Sequence, residues 1–228
     1  EKTCALLAEE LGIPAESVAV ASTGVIGQPL DIEPIKRGIP ELKKSLSRDA
    51  SPAAQAIMTT DTVEKQVAVE FELGGKTVRL GGIAKGSGMI HPNMATMLVF
   101  LTTDAAVSGT MLQKALSGDI ENTFNMMSVD GDTSTNDMVL LLANGMAGNE
   151  EITCDNDDFR TFMCALNTVN VALCRMLAGD GEGATKLLDC VVTGADSTEN
   201  AKKAAKAVVC SSLEKAAMIG ADANRGRV

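Results

Sequence analysis

Apolar positions along the chain follow two different periods, and the change from one to the other marks out its elements. Cys4, Leu7, Ala8 and Leu11 recur at i, i+3, i+4, i+7, the spacing of an amphipathic helix already under way at the first residues. Gly12 suits its stop and Pro14 a restart. Val18 to Ala21 reads as a short strand running into the polar turn Ser22-Thr23-Gly24, and helical patches follow at Ile32–Arg37, Glu41–Leu46 and Pro52–Ile57. From Val63 to Leu73 the period shortens to two: Val67, Val69, Phe71 and Leu73 interleave with charged residues. Gly74-Gly75 then turns the chain into Lys76–Leu80, which predicts a β-hairpin.

A Gly- and Ser-rich loop, Gly81 to Asn93, leads to the apolar run Met97–Leu101, short and β-branched enough for a buried strand. Helical spacing returns at Met111–Leu116 and Glu121–Met127, and Met138–Leu142 is a second buried strand. Asp158 to Leu177 is the longest predicted helix, with Phe159, Phe162, Met163, Leu166, Leu173 and Leu177 on its apolar side. Leu187–Val192 alternates weakly as a strand, and Asp196 with Glu199 resembles a capping box opening a helix over Ala201–Cys210. Mixed strands and helices with one antiparallel hairpin put the chain in the α/β (α+β) class.

Composition changes this picture in several ways. There is no Trp or Tyr and there are only five Phe, so the core rests on aliphatic side chains and on the twelve Met as gap-fillers. A net charge of −10, with lysine pairs scattered on helical faces, argues against nucleic acid, which needs a concentrated basic footprint. No apolar run approaches the roughly 18 residues of a membrane span. Cys4, Cys154, Cys164, Cys174, Cys190 and Cys210 have no metal-ligand spacing and read as small buried hydrophobes. His91 is the single histidine, so a multi-histidine metal site is excluded.

The chemistry concentrates between Lys85 and Leu98, where a Gly-rich segment ends in Asn93-Met94-Ala95-Thr96 at the mouth of a strand. A hydroxyl at Thr96 could attack the preceding Ala95 carbonyl, shift the peptide to an ester and release it to water. The product would carry a free amine on Thr96, with an ordinary pKa near about 8, beside the hydroxyl it can deprotonate. By spacing alone a Thr opening a strand is ordinary.

Several segments taken together carry more. Ser22-Thr23-Gly24-Val25-Ile26-Gly27, Lys85-Gly86-Ser87-Gly88-Met89, Asn93 to Leu98, Asp130 to Asp137 and Asp180-Gly181-Glu182-Gly183-Ala184-Thr185 follow one another across nearly all of the 228 residues. In order and spacing this set resembles the ornithine acetyltransferase family, also called bifunctional glutamate N-acetyltransferases. The resemblance implies cleavage between residues matching Ala95 and Thr96, giving an α-chain portion, 1–95, and a β-chain portion, 96–228. Thr96 would then carry an acetyl group from N-acetylornithine to glutamate, releasing ornithine. It implies an oxyanion-stabilising pair at Thr23 and Gly24 and substrate contacts at Thr59, Lys85 and Glu182. Further implications are a layered αββα-type sandwich, a cytoplasmic α2β2 heterotetramer of the cleaved chains, and no metal or organic cofactor. Acetyl-CoA is a second acyl donor for those members that make N-acetylglutamate directly.

Family chains extend beyond both ends of this one, so a fragment is expected, lacking a tail that supplies an Asn and a Thr or Ser to the pocket. Arg225 stands where the family usually has Trp. Two other readings remain: a related self-cleaving aminopeptidase or amidohydrolase, with water as acceptor, and an inactive fragment that only binds or assembles. Taken singly, the motifs have ordinary explanations. Thr23-Gly24 is a turn after a strand, and His91 makes a local loop contact. Lys85 lacks the residue order of a phosphate-binding loop. Asp130-Gly131-Asp132 with Asp137 lacks the glycine position of a calcium loop and reads as a hydrogen-bonded loop near the site.

Overall fold

A computed structural model describes residues 1–25, 27–90, 97–223 and 226. His91, Ala95, Thr96 and Arg225, all singled out above, lie outside the described residues. The chain divides into two compact units, Glu1–Ala50 and Ser51–Val228.

In the first unit, helix α1 (Lys2–Leu11) ends as its sequence predicts, on Gly12 in the left-handed region with its N–H bonded to the Ala8 carbonyl. A 3₁₀ turn at Ala15–Ser17 follows Pro14. The predicted strand at Val18–Ala21 does not form. Val18 has extended backbone angles, but no described segment lies alongside to complete a ladder. The two helical patches after it fuse into one helix, α2 (Glu33–Lys44), which runs through Pro40. Lys43 closes this unit on α1, 3.3 Å from the Glu10 carboxylate.

The second unit opens with helix α3 (Ser51–Ala56) and is built on a four-stranded sheet in the order β1-β2-β3-β4. Strands β1 (Lys65–Leu73) and β2 (Lys76–Lys85) form the predicted hairpin. Gly74 and Gly75 both take positive φ, 54° and 75°, as the tight turn that suits twisted strands requires. β2 runs on to Lys85, well into the stretch expected to be a loop, because Gly81 to Ala84 pair with β1 on one side and β3 on the other. β3 (Leu98–Thr103) is antiparallel to β2, and β4 (Met138–Ala143) is parallel to β3, reached through helix α4 (Gly109–Ile120).

Helix α5 (Asp157–Gly179) lies against this sheet. Asn156 caps it by accepting the Phe159 N–H at 2.8 Å. Phe162, Leu166, Leu173 and Leu177 are wholly buried, and Phe71 meets Phe162 with ring centroids 6.4 Å apart. By length and composition α5 could span a bilayer; its apolar side instead completes a core with the sheet. At Gly82 the two come so close that a Cβ there would lie 2.5 Å from a Leu101 methyl and 3.1 Å from one of Leu173.

The rest departs from expectation in places. Glu121–Met127 yields only a 3₁₀ turn at Phe124–Met126. Leu187–Val192 is not a strand, since none of its backbone is paired into the sheet. Helix α6 (Thr198–Val209) is capped by Ser197, which accepts the Asn200 N–H, with Asp196 bonded to the Asn200 side chain instead. Helix α7 (Ser212–Ile219) has no counterpart in the sequence reading. Of the cysteines, only Cys174 is buried, where burial holds its thiol far above the ordinary value; Cys154 and Cys164 are exposed. The mixed α/β class holds, with one sheet and its helices among the described residues.

Candidate active site

The site forms where β2 ends, the chain before β1 arrives, and α5 stops. Lys85, the last residue of β2, is buried and donates from Nζ to Thr59 Oγ1 at 2.8 Å. Its ammonium is also 3.8 Å from Asp61 Oδ2. Burial pushes the Lys85 pKa below the ordinary lysine value; Asp61 and Glu182 pull it back, while Lys65 adds to the lowering. Glu182 comes from the segment just beyond α5 and is exposed. Its carboxylate rests over Gly88, where a Cβ would be 2.9 Å from Cδ. Its N–H donates to the Ser87 carbonyl at 2.8 Å, and Ser87 Oγ donates to the Asp180 carbonyl at 2.7 Å. Thr59, Lys85 and Glu182, far apart in sequence, thus share one corner of the second unit.

Beneath them sits a buried ion cluster that the sequence reading missed. Lys65 is 0% exposed and its ammonium lies 2.8 Å from Asp61 Oδ1 and 2.6 Å from Asp180 Oδ2. Burial alone would raise the Asp61 carboxyl, but hydrogen bonds from the Gly86 N–H, Lys65 and the Thr59 N–H outweigh it and hold the pKa below the ordinary value. Asp180 is likewise held low against its burial, by Lys65 and by the Thr62 hydroxyl and N–H. The signal for Lys65 was present in the chain: it shares parity with Val67, Val69, Phe71 and Leu73, so it falls on the inward face.

The Asp130–Asp137 segment is a hydrogen-bonded loop beside this corner. Asp130 accepts the N–H groups of Met89 and Ile90 at 2.5 and 3.0 Å, stabilising the left-handed φ of 52° at Met89. Asp137 accepts the Met97 N–H at 3.0 Å. One acidic loop therefore holds the backbone on both flanks of residues 91–96. Burial raises the Asp137 carboxyl to about 6, partly offset by the Met97 N–H.

Thr23 and Gly24 belong to the first unit, Thr23 half-buried and Gly24 exposed. Among the described residues, then, Thr59, Lys85 and Glu182 converge, and Ala95 and Thr96 fall in sequence between the two backbone segments held by Asp130 and Asp137.

Comparison with known proteins decides the lineage. A model of the ArgJ family matches residues 1–228. The chain belongs to the ArgJ family. It is 54% identical over 222 residues to "Arginine biosynthesis bifunctional protein ArgJ 1" of Clostridium acetobutylicum, covering 97% of this chain and 54% of that protein. It is 55% identical over 224 residues to "Arginine biosynthesis bifunctional protein ArgJ" of Symbiobacterium thermophilum, covering 98% of this chain and 56% of that protein. This ArgJ-family chain therefore spans a little over half the length of the curated relatives it matches. The crystal structure of an arginine biosynthesis bifunctional protein ArgJ from Bacillus halodurans matches with a TM-score of 0.54 at 48% identity, over 57% of this chain and 60% of that one.

Proposed function

We propose that this ArgJ-family chain is part of a self-cleaving acetyltransferase that moves the acetyl group of N-acetylornithine to glutamate. The observation that carries the reading is the convergence of Thr59, Lys85 and Glu182 on one corner, next to a loop that fixes the backbone on either side of residues 91–96. A buried ammonium and an exposed carboxylate suit the carboxylate and ammonium ends of small amino-acid substrates, each through a charge-assisted hydrogen bond.

Chemically, cleavage between Ala95 and Thr96 would free an amine beside the Thr96 hydroxyl. That amine takes the hydroxyl proton as Oγ attacks the acetyl carbonyl. Thr23 and Gly24 would stabilise the tetrahedral oxyanion through a hydroxyl and a backbone N–H, an arrangement worth roughly 3–4 kcal/mol per donor. Ornithine leaves with the proton, and the glutamate amine then attacks the acetyl ester, restoring Thr96. Acetyl-CoA is a further donor in this scheme. The relatives' shared name, arginine biosynthesis bifunctional protein, supports a role in arginine biosynthesis. A cytoplasmic α2β2 assembly of chains 1–95 and 96–228 belongs to the same proposal.

The test is a denaturing gel with N-terminal sequencing, followed by product analysis. Cleavage would leave residues 1–95 and 96–228, the second beginning Thr-Met-Leu-Val. Thr96→Ala is expected to give one intact band and no acetyl-enzyme. The same two bands from that variant would defeat the proposal. Free acetate formed at equal rate with and without glutamate would point to a hydrolase instead.

A further inference from the structure

Thr59, Lys85 and Glu182 come from three separate stretches of chain, and every one of those stretches is bonded to the cluster around Lys65. The Lys65 ammonium is fully buried and spends its hydrogens on protein acceptors: Asp61 Oδ1 at 2.8 Å, Asp180 Oδ2 at 2.6 Å and the Val63 carbonyl at 3.2 Å. It has none to offer a substrate. Asp61, in turn, receives the Gly86 N–H at 2.7 Å, next to Lys85, and the N–H of Thr59 itself at 3.1 Å. Asp180 receives the Thr62 N–H at 3.0 Å, while its carbonyl binds Ser87, whose own carbonyl holds the Glu182 N–H.

Charge gives the arrangement a second role. Asp61 lies between two ammonium groups, Lys65 at 2.8 Å and Lys85 at 3.8 Å. The nearer one neutralises it, which leaves Lys85 hydrogen-bonded to the neutral Thr59 hydroxyl, with Asp61 as its more distant partner. A buried carboxylate deprived of its cation draws in the nearest remaining one. Without Lys65, that cation is Lys85.

We infer that Lys65 is a positioning residue for acetyl transfer: by neutralising Asp61 and tying it to Asp180, it keeps Lys85 available to a substrate carboxylate and fixes the Glu182 segment opposite it. This inference rests on the reading of Thr59, Lys85 and Glu182 as substrate contacts. Lys65 touches no reacting atom, so its loss is felt in binding more than in the chemical step.

The experiment is steady-state kinetics on the full-length protein, with N-acetylornithine and glutamate, for wild type, Lys65→Met and Asp61→Asn. Active sites are counted by the fraction of chain that becomes acetylated. Lys65→Met is expected to raise KM for N-acetylornithine about 30-fold while kcat per active site stays within about threefold. Asp61→Asn keeps an acceptor for Gly86 and Lys65 but removes the charge and places an amide against the Thr59 N–H. With no charge left to capture Lys85, it loses only the hold on the Thr59 N–H and the tie through Lys65 to Asp180. Its KM for N-acetylornithine is therefore expected to rise less, about fivefold, and it decides the matter if Lys65→Met does not accumulate as folded protein. KM unchanged in the folded variants, or a loss confined to the amount of folded protein, overturns the positioning role while leaving the site reading intact. A wild type that transfers no acetyl group overturns both.

Discussion

The Asp137 carboxylate accepts the backbone N–H of Met97 at 3.0 Å, one residue beyond the candidate nucleophile. Burial raises this carboxyl from 3.8 to about 6, so between those values the folded chain binds more protons than the unfolded one. Stability from this group is therefore present at low pH and is lost as pH rises through about 6. Asp137→Asn keeps the acceptor and removes the charge. Its thermal midpoint is expected to gain on wild type as pH goes from about 4 to about 7, a window set by the two pKa values. Parallel melting curves across that window would show that Asp137 does not titrate there.

Gly88 sits directly under the Glu182 carboxylate, where a Cβ would be 3.0 Å from both of its oxygens. Because Glu182 is exposed, Gly88→Ala displaces the carboxylate at little cost to the fold, about 0.5 kcal/mol or less. If Glu182 holds a substrate ammonium, KM for N-acetylornithine should rise about 10-fold with kcat nearly unchanged. An unaltered KM in the folded variant removes Glu182 from the substrate site.

Gly82 tests the core in the same way. An added methyl would lie 2.5 Å from a side-chain methyl of Leu101, itself wholly buried, and 3.1 Å from one of Leu173. Both neighbours are wholly buried. Gly82→Ala is expected to lower unfolding free energy by about 1–3 kcal/mol in urea titrations, the usual range for overpacking. A loss below about 0.5 kcal/mol would mean that the Leu101 and Leu173 side chains can both shift to make room at this point.

What the sequence revealed follows from the range of the forces involved. The hairpin was legible because alternation and Gly74-Gly75 are local signals. The long helix was legible because six apolar residues at helical spacing need a surface to cover, and the sheet supplies it. Val18–Ala21 and Leu187–Val192 have strand-like composition, but a strand exists only with a neighbour, and no periodicity names one. The end of β2 was hidden because glycines normally signal turns, whereas Gly81 and Gly82 serve close packing between strands and helix.

At the site, the motifs led to Thr59, Lys85 and Glu182 through resemblance, and the fold brings them together. Lys65 was missed although its parity placed it inward, since the partner that makes its burial tolerable, Asp180, lies 115 residues away. The Asp130–Asp137 segment was placed correctly as a hydrogen-bonded loop, but its grip on Met89, Ile90 and Met97 depends on tertiary contact alone.

Strands β2 and β3 are neighbours in the sheet, in register from Leu80 opposite Thr103 to Lys85 opposite Leu98. Any scission after residue 95 would sever the polypeptide without unfastening this seam. The two daughters would stay zipped edge to edge, each lacking part of a sheet that only the other can finish. Native chromatography should then report a single species from material that runs as two in detergent, and mixing separately expressed halves becomes a problem of refolding rather than of docking.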